Sequence, residues 1–306
     1  MEPKRTNRRN LLIGGAAISA AAAIGMARSP DTLPRDHQTI EIRGRRLHYT
    51  TAGSGRPLVL LHGSSGSLRD WTFAHMGRLA QQWRVIAFDR PGLGGSDPSE
   101  DHRLLGQAHM MQEALDAMGV GDFTLCGHSF GGSVALAWAL GIPAKVRGLM
   151  LLGAPSHVWP GTAGRLHDIT STPVIGYAFS RALPWIVSEK RFADGLASVF
   201  APQATPQGYG AHIDPARVLH PPVYRRNARQ VTALKDQLRT MTPRYPTLVM
   251  PLEILHGEAD DTVNAALHSV ALHKAAPRSR LTLLPGIGHM PHHGAPDAFY
   301  DALTRL

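Results

Sequence analysis

The stretch Phe123-Thr124-Leu125-Cys126-Gly127-His128-Ser129-Phe130-Gly131-Gly132 decides how the rest of the chain is read. An apolar run of strand character ends at Cys126, a helix-forming run extends from Phe130 to Leu140, and one serine stands at the junction between two glycines. This is G-x-S-x-G in a strand-turn-helix setting, where a turn that tight holds the serine in a strained backbone and presents its hydroxyl. Glycine suits positions 127 and 131 because a side chain at either would collide with the strand or the helix. The helix that follows directs its N-terminal amide dipoles toward the serine and favours negative charge developing there. Ser129 is the candidate nucleophile.

Outward from this junction the chain alternates strands and helices. Thr39 to Ile42 and Arg45 to Thr51 read as a strand pair turning at Arg43-Gly44, and Leu58 to Leu61 as a strand buried on both faces. Helix Phe73 to Gln82, strand Val85 to Phe88, helix Leu104 to Met118 and strand Leu149 to Leu152 extend the pattern. It lapses over the proline- and aromatic-rich stretch from about 156 to 243, then resumes with strand Leu252 to Leu255, helix Val263 to Lys274, strand Leu281 to Leu284 and a final helix from Pro296. Such alternation predicts right-handed crossovers and a mostly parallel eight-stranded sheet flanked by helices, an α/β fold. A lapse of nearly ninety residues is too long for a loop and predicts an inserted, mainly helical cap over 156–243, with the sheet domain over 30–155 and 244–306.

On these residues the chain resembles the α/β-hydrolases, specifically the capped, esterase and haloperoxidase-like serine hydrolases, over residues 39–155 and 245–306. Three further segments carry the resemblance: Leu60-Leu61-His62-Gly63-Ser64-Ser65-Gly66, Asp89-Arg90-Pro91-Gly92-Leu93-Gly94-Gly95-Ser96-Asp97, and Gly286-Ile287-Gly288-His289-Met290-Pro291. The family's chain order of nucleophile, acid and base implies an acid in His256-Gly257-Glu258-Ala259-Asp260-Asp261-Thr262-Val263, in a register that selects Asp260, and His289 as the base. The family's other acid position, Gly153-Ala154-Pro155-Ser156, offers no carboxylate. The resemblance also implies an oxyanion hole formed by the backbone amides of Ser64 and Phe130. Ser rather than Asp at position 129 argues against haloalkane dehalogenase and epoxide hydrolase chemistry, which uses a carboxylate nucleophile. The absence of a Gly-Pro-Gly loop from Ser64-Ser65-Gly66-Ser67 ranks carbon–carbon bond hydrolysis lower.

The expected activity is therefore hydrolysis of an ester, lactone or related acyl compound through an acyl-enzyme, with no cofactor. A cofactor-free perhydrolase or haloperoxidase, in which peroxide intercepts the acyl-enzyme, uses the same residues; a non-catalytic binding protein on this fold would predict a broken triad. His292 and His293 form H-x-x-H-H with His289 and invite a metal reading, discounted here because no second ligand cluster is visible in the sequence. Trp159, Trp185 and Tyr224, with Phe179 and Phe200, are candidates for an apolar substrate pocket, although aromatic residues in a small helical insertion also form its own core.

Composition fits this reading. With 43% hydrophobic and 18% charged residues the chain can build a sizeable core, and a single cysteine, Cys126, excludes an intrachain disulfide. Net charge is +9, but five of the Lys and Arg residues and only Glu2 among the acids lie in the first 28 residues, which leaves +5 on the remainder and no phosphate-binding stripe for nucleic acid. That leader pairs Arg8-Arg9 and Asn10 with the uncharged, Ala- and Gly-rich run Leu11 to Ala27, and resembles a twin-arginine export signal cleaved after Ala27. The expected location is periplasmic or secreted, with a membrane anchor as the alternative if the signal is retained; the 17-residue run is at the short limit for spanning.

Overall fold

The computed structural model describes residues 37–162 and 164–306; the leader over 1–27 lies outside them. Eight strands form one sheet: β1 (Gln38–Ile42), β2 (Arg45–Ala52), β3 (Arg56–Leu61), β4 (Trp83–Phe88), β5 (Phe123–His128), β6 (Val146–Leu152), β7 (Leu252–Gly257) and β8 (Ser279–Leu284). Their spatial order is β1-β2-β4-β3-β5-β6-β7-β8. The β1-β2 and β2-β4 pairs are antiparallel, and every other pair is parallel. This is the mostly parallel eight-stranded sheet that the alternation predicts.

The central strands are apolar throughout because both faces are covered. Along β3, Leu58 and Leu60 pack with Trp71, Met150 and Phe299 on one face, while Val59 and Leu61 pack with Phe123, Leu136 and Trp138 on the other. Each leucine so buried contributes about 1.5–3 kcal/mol relative to exposure. The covering helices are α1 (Arg69–Ala74) and α2 (Met76–Leu79) between β3 and β4, α3 (Leu104–Ala117) before β5, and α4 (Phe130–Gly141) after it. Between β6 and β7 come α5 (Arg165–Ser171), α6 (Ile175–Ile186), α7 (Glu189–Phe200), α8 (Tyr209–His212), α9 (Pro215–Val218), α10 (Pro221–Thr232) and α11 (Leu234–Met241). The chain closes with α12 (Ala271–Ala275), α13 (Pro291–Gly294) and α14 (Pro296–Leu303). No described helix is long and apolar enough to cross a membrane.

Two helices differ from the sequence expectation, each for a local reason. The helix expected over Phe73 to Gln82 starts earlier and breaks at His75, whose φ is stretched to −106° and whose ring is buried against His292, His293 and Phe299. The helix expected from Val263 begins instead with a π-helical turn at Ala266, because the N–H groups of Thr262 and Val263 are spent on the Asp260 carboxylate and that of Leu267 on Asn264 Oδ1. The loops leaving β3, β5, β7 and β8 all emerge at the carboxyl edge of the parallel sheet, where open α/β folds gather ligands.

Candidate active site

Ser129 follows the last residue of β5 and precedes the first of α4. Its backbone stands at φ 51° and ψ −122°, a conformation that costs a non-glycine residue about 1–3 kcal/mol. The surroundings enforce it: Ser129 N–H donates to Leu152 O at 2.8 Å, and Gly132 N–H donates to Ser129 O at 2.9 Å. A Cβ at Gly127 would strike the Gly131 carbonyl, and one at Gly131 would strike the carbonyls of Leu61 and His62. Both glycines are thus required by close approach.

The fold brings His289 and Asp260 to this serine. His289 Nε2 lies 2.9 Å from Ser129 Oγ, and His289 Nδ1 lies 2.7 Å from Asp260 Oδ2. The arrangement fixes the tautomer: Nδ1–H donates to the carboxylate, and Nε2 accepts from the hydroxyl. Asp260 Oδ1 accepts the Thr262 and Val263 N–H groups, each at 2.8 Å. Burial alone would raise the Asp260 pKa, but hydrogen bonds from His256 and His289 outweigh it and hold the carboxyl below its ordinary range. All three side chains are buried. Gly153, at φ 53°, passes close to the pair: a Cβ there would lie 3.4 Å from both Asp260 Oδ2 and His289 Nδ1, so the other acid position of the sequence reading borders the same contact.

His256 has a part in this network that sequence reading does not assign. Its Nε2 lies 3.0 Å from Asp260 Oδ2 and 2.8 Å from Val263 O, while its Nδ1 accepts from Ser269 Oγ. The second imidazole therefore orients the carboxylate that orients the first. Its spacing of four residues from Asp260 was the available signal. His128, the variable residue of the elbow, donates from Nε2 to the His289 carbonyl at 2.9 Å and ties the Ser129 turn to the loop of His289.

The predicted oxyanion amides lie on either side of the serine. Phe130 N opens α4, and Ser64 follows Gly63, on which a Cβ would lie 3.2 Å from Ser129 Cβ. Among the described residues neither amide has a hydrogen-bond acceptor. The loop carrying Ser64 is held from two directions. Arg90, fully buried, donates to the carbonyls of His62 (2.8 Å) and Gly63 (3.0 Å) and to the side-chain oxygens of Gln107 and Gln230, and burial lowers its pKa to about 9. Asn227 of α10 accepts Ser64 Oγ–H (3.0 Å) and Ser65 N–H (2.8 Å) and donates to Ser65 Oγ (2.9 Å). On the opposite side Gln203 donates to Gly286 O (2.8 Å) and accepts from Gly288 N (2.9 Å), securing the loop of His289. Neither Arg90 nor these amides were legible as site residues, since each acts across a long sequence separation.

The aromatic pocket candidates are scattered. Trp159 packs edge-on against His268 with Lys235 Nζ over its ring, Trp185 on α6 is 80% exposed, and Tyr224 lies on α10. Among the described residues none of the three makes a hydrogen bond or ring contact with Ser129, Asp260 or His289. Phe200 is buried with Tyr209, Ile213 and Met290 in a small core of its own.

Comparison with known proteins agrees with the geometry. The family model described as the alpha/beta hydrolase fold matches residues 56–296. An uncharacterized protein of Mycobacterium tuberculosis is 30% identical over 284 residues, covering 90% of this chain and 82% of its own. The 2-hydroxymuconate semialdehyde hydrolase of Pseudomonas putida is 37% identical over 140 residues, 44% of this chain and 50% of that protein. Among solved structures, the enol-lactonase from Burkholderia xenovorans superposes with a TM-score of 0.71 at 18% identity, covering 87% of this chain and 100% of that one. The bromoperoxidase from Bacillus anthracis superposes with a TM-score of 0.69 at 21% identity, covering 85% and 94%. With sheet, elbow and match extending over most of its length, the chain belongs to the α/β-hydrolase fold family.

Proposed function

We propose that the protein is a serine hydrolase that cleaves an ester, lactone or related acyl compound through an acyl-enzyme on Ser129. The observation that carries this reading is the continuous path from Ser129 Oγ through His289 to Asp260, with contacts of 2.9 and 2.7 Å, on a strained elbow. Ser129 Oγ attacks the substrate carbonyl carbon as His289 Nε2 takes its proton, and Asp260 stabilises the imidazolium. The carbonyl oxygen becomes an oxyanion facing the amides of Phe130 and Ser64, an interaction typically worth about 3 kcal/mol per donor. His289 returns the proton to the leaving oxygen as the acyl bond to it breaks. Water, deprotonated in turn by His289, attacks the ester on Ser129 and releases the acid, and the proton goes back to Oγ.

The helices between β6 and β7 act in this proposal as a cap that selects the substrate. The exposed apolar side chains Val174, Ile175 and Trp185 on and beside α6 give that cap an apolar surface, which agrees with an apolar acyl group. Structural neighbours described as an esterase from Rhodococcus and an enol-lactonase support acyl chemistry of this kind, and one described as a bromoperoxidase supports peroxide as an alternative acceptor from the same acyl-enzyme. Export of the folded chain by the twin-arginine route belongs to the same proposal and rests on Arg8-Arg9 and the run that follows. The test is release of p-nitrophenol from acetate, butyrate and octanoate esters by the full chain and by Ser129→Ala. Turnover that vanishes in the variant supports the reading, and equal turnover by both refutes it.

A further inference from the structure

A second buried polar cluster adjoins this site and takes no part in the proposed reaction. Asp70 of α1 receives His292 Nε2 on Oδ2 (3.1 Å), and His293 Nε2 (2.9 Å) and the Tyr209 hydroxyl (2.8 Å) on Oδ1. His75, at the break between α1 and α2, has its Nδ1 2.9 Å from the Tyr300 hydroxyl. The three imidazoles are packed ring to ring, with centroids 4.4 Å apart for His292 and His293, 4.7 Å for His75 and His293, and 5.3 Å for His75 and His292.

Two facts set the cluster apart from ordinary packing. One ring nitrogen from each of His75, His292 and His293 lies within 4.8 Å of those of the other two. Moreover His75 Nε2 and His292 Nδ1 are buried with no hydrogen-bond partner among the described residues. Burying a polar nitrogen without a partner is costly, and two in one cluster call for a ligand. An imidazole with one nitrogen held on a carboxylate or hydroxyl and the other bare is oriented as metal-bound histidines are, with the outer partner fixing the tautomer and raising ligand basicity.

We infer that His75, His292 and His293 form a site for one divalent transition-metal ion, with Asp70 and Tyr300 as the outer partners that orient the rings. Three imidazole ligands suit zinc, with cobalt(II) as a spectroscopic substitute, and leave a coordination position open. The sequence reading discounts a metal at H-x-x-H-H for want of a second ligand cluster. The fold supplies one in His75, more than two hundred residues earlier in the chain, and leaves His289 to Ser129 and Asp260. Bound there, the ion would join α13, which follows the loop of His289, to the break between α1 and α2. The inference does not depend on the reaction proposed above.

The test uses the full chain, stripped with a chelator, desalted and titrated with cobalt(II) and then zinc. The expected result is one zinc per chain by elemental analysis, visible ligand-field absorption with cobalt(II) that zinc abolishes, and a melting temperature raised by zinc. His75→Gln and His293→Gln should each lose the absorption and the thermal shift, Asp70→Asn should weaken zinc binding 10–100-fold, and His109→Gln, at an exposed position, should change nothing. Two variants guard against loss of folding in one, and circular dichroism of the metal-free proteins reports it. Stoichiometry and absorption that are the same in wild type and folded His75→Gln and His293→Gln, or absent from wild type, would overturn the inference.

Discussion

Replacing Asp260 by Asn tests the reaction geometry most sharply, because the structure dictates how the amide must sit. Oδ1 of Asp260 is claimed by two backbone donors, Thr262 N–H and Val263 N–H, both at 2.8 Å. The Asn oxygen must remain there, which places its NH2 where Oδ2 now receives His289 Nδ1 at 2.7 Å and His256 Nε2 at 3.0 Å. Two donors then face each other unless His289 moves its proton to Nε2, the nitrogen 2.9 Å from Ser129 Oγ. An imidazole protonated there cannot accept the serine proton. The expected loss in kcat is about 10⁴-fold, equivalent to about 5.5 kcal/mol at ~1.36 kcal/mol per decade. The assay is burst and steady-state hydrolysis of p-nitrophenyl butyrate at neutral pH, with thermal melting as a check on folding. A folded variant whose kcat stays within about tenfold of wild type would refute the tautomer argument and the relay with it.

Three further outcomes follow from the same contacts. Ser129→Gly should abolish hydrolysis while raising stability by about 1 kcal/mol in denaturant titration, since glycine holds φ 51° without strain; an unchanged or lower midpoint would count against a strained elbow. Asn227→Ala removes the acceptor shared by Ser64 Oγ and Ser65 N and should lower kcat about tenfold with less change in KM; an effect on KM alone would place Asn227 in substrate binding instead. Asp89 is buried, which would raise its pKa, but the hydrogen bond and charge of His48 pull it below the ordinary 3.8, so its stabilising contribution is present above that value and lost as pH falls toward the lowered one. Melting temperatures of wild type should therefore drop more steeply between about pH 5 and about pH 3 than those of Asp89→Asn; parallel curves would remove Asp89 from the acid response.

What the sequence discloses is local. The run Phe123 to Gly131 carries strand, turn and helix within nine residues, so the elbow is legible from spacing, whereas His289 is reached through the resemblance of Gly286-Ile287-Gly288-His289 to the family's loop before the final helix. The register that selects Asp260 over Asp261 likewise comes from the resemblance, and in the structure its carboxylate accepts the N–H groups two and three residues on. The break at His75 was hidden because Trp71 to Leu79 has a helical pattern, and only residues from α13 and α14 pull the histidine ring out of it. Arg90 reads as one member of a glycine-rich turn, yet its four acceptors lie in the loop after β3, in α3 and in α10. The lining of the substrate pocket stayed unread for the opposite reason: large aromatic residues such as Trp185 and Phe200 are equally at home in solvent and in a private core, and they end in one and the other.

The three side-chain amides Gln203, Asn227 and Gln230 fasten the segment between β6 and β7 to the loop of His289, the loop of Ser64 and Arg90 respectively. Their consequence is for recombination. A foreign insertion spliced between β6 and β7 would leave Arg90 short of one acceptor and deprive each loop of one of its tethers, however well it folded by itself. Chimeras meant to exchange substrate preference should keep these three residues as a fixed frame, together with Phe200 of α7, which packs against Met290 and His293, and vary α5 and α6.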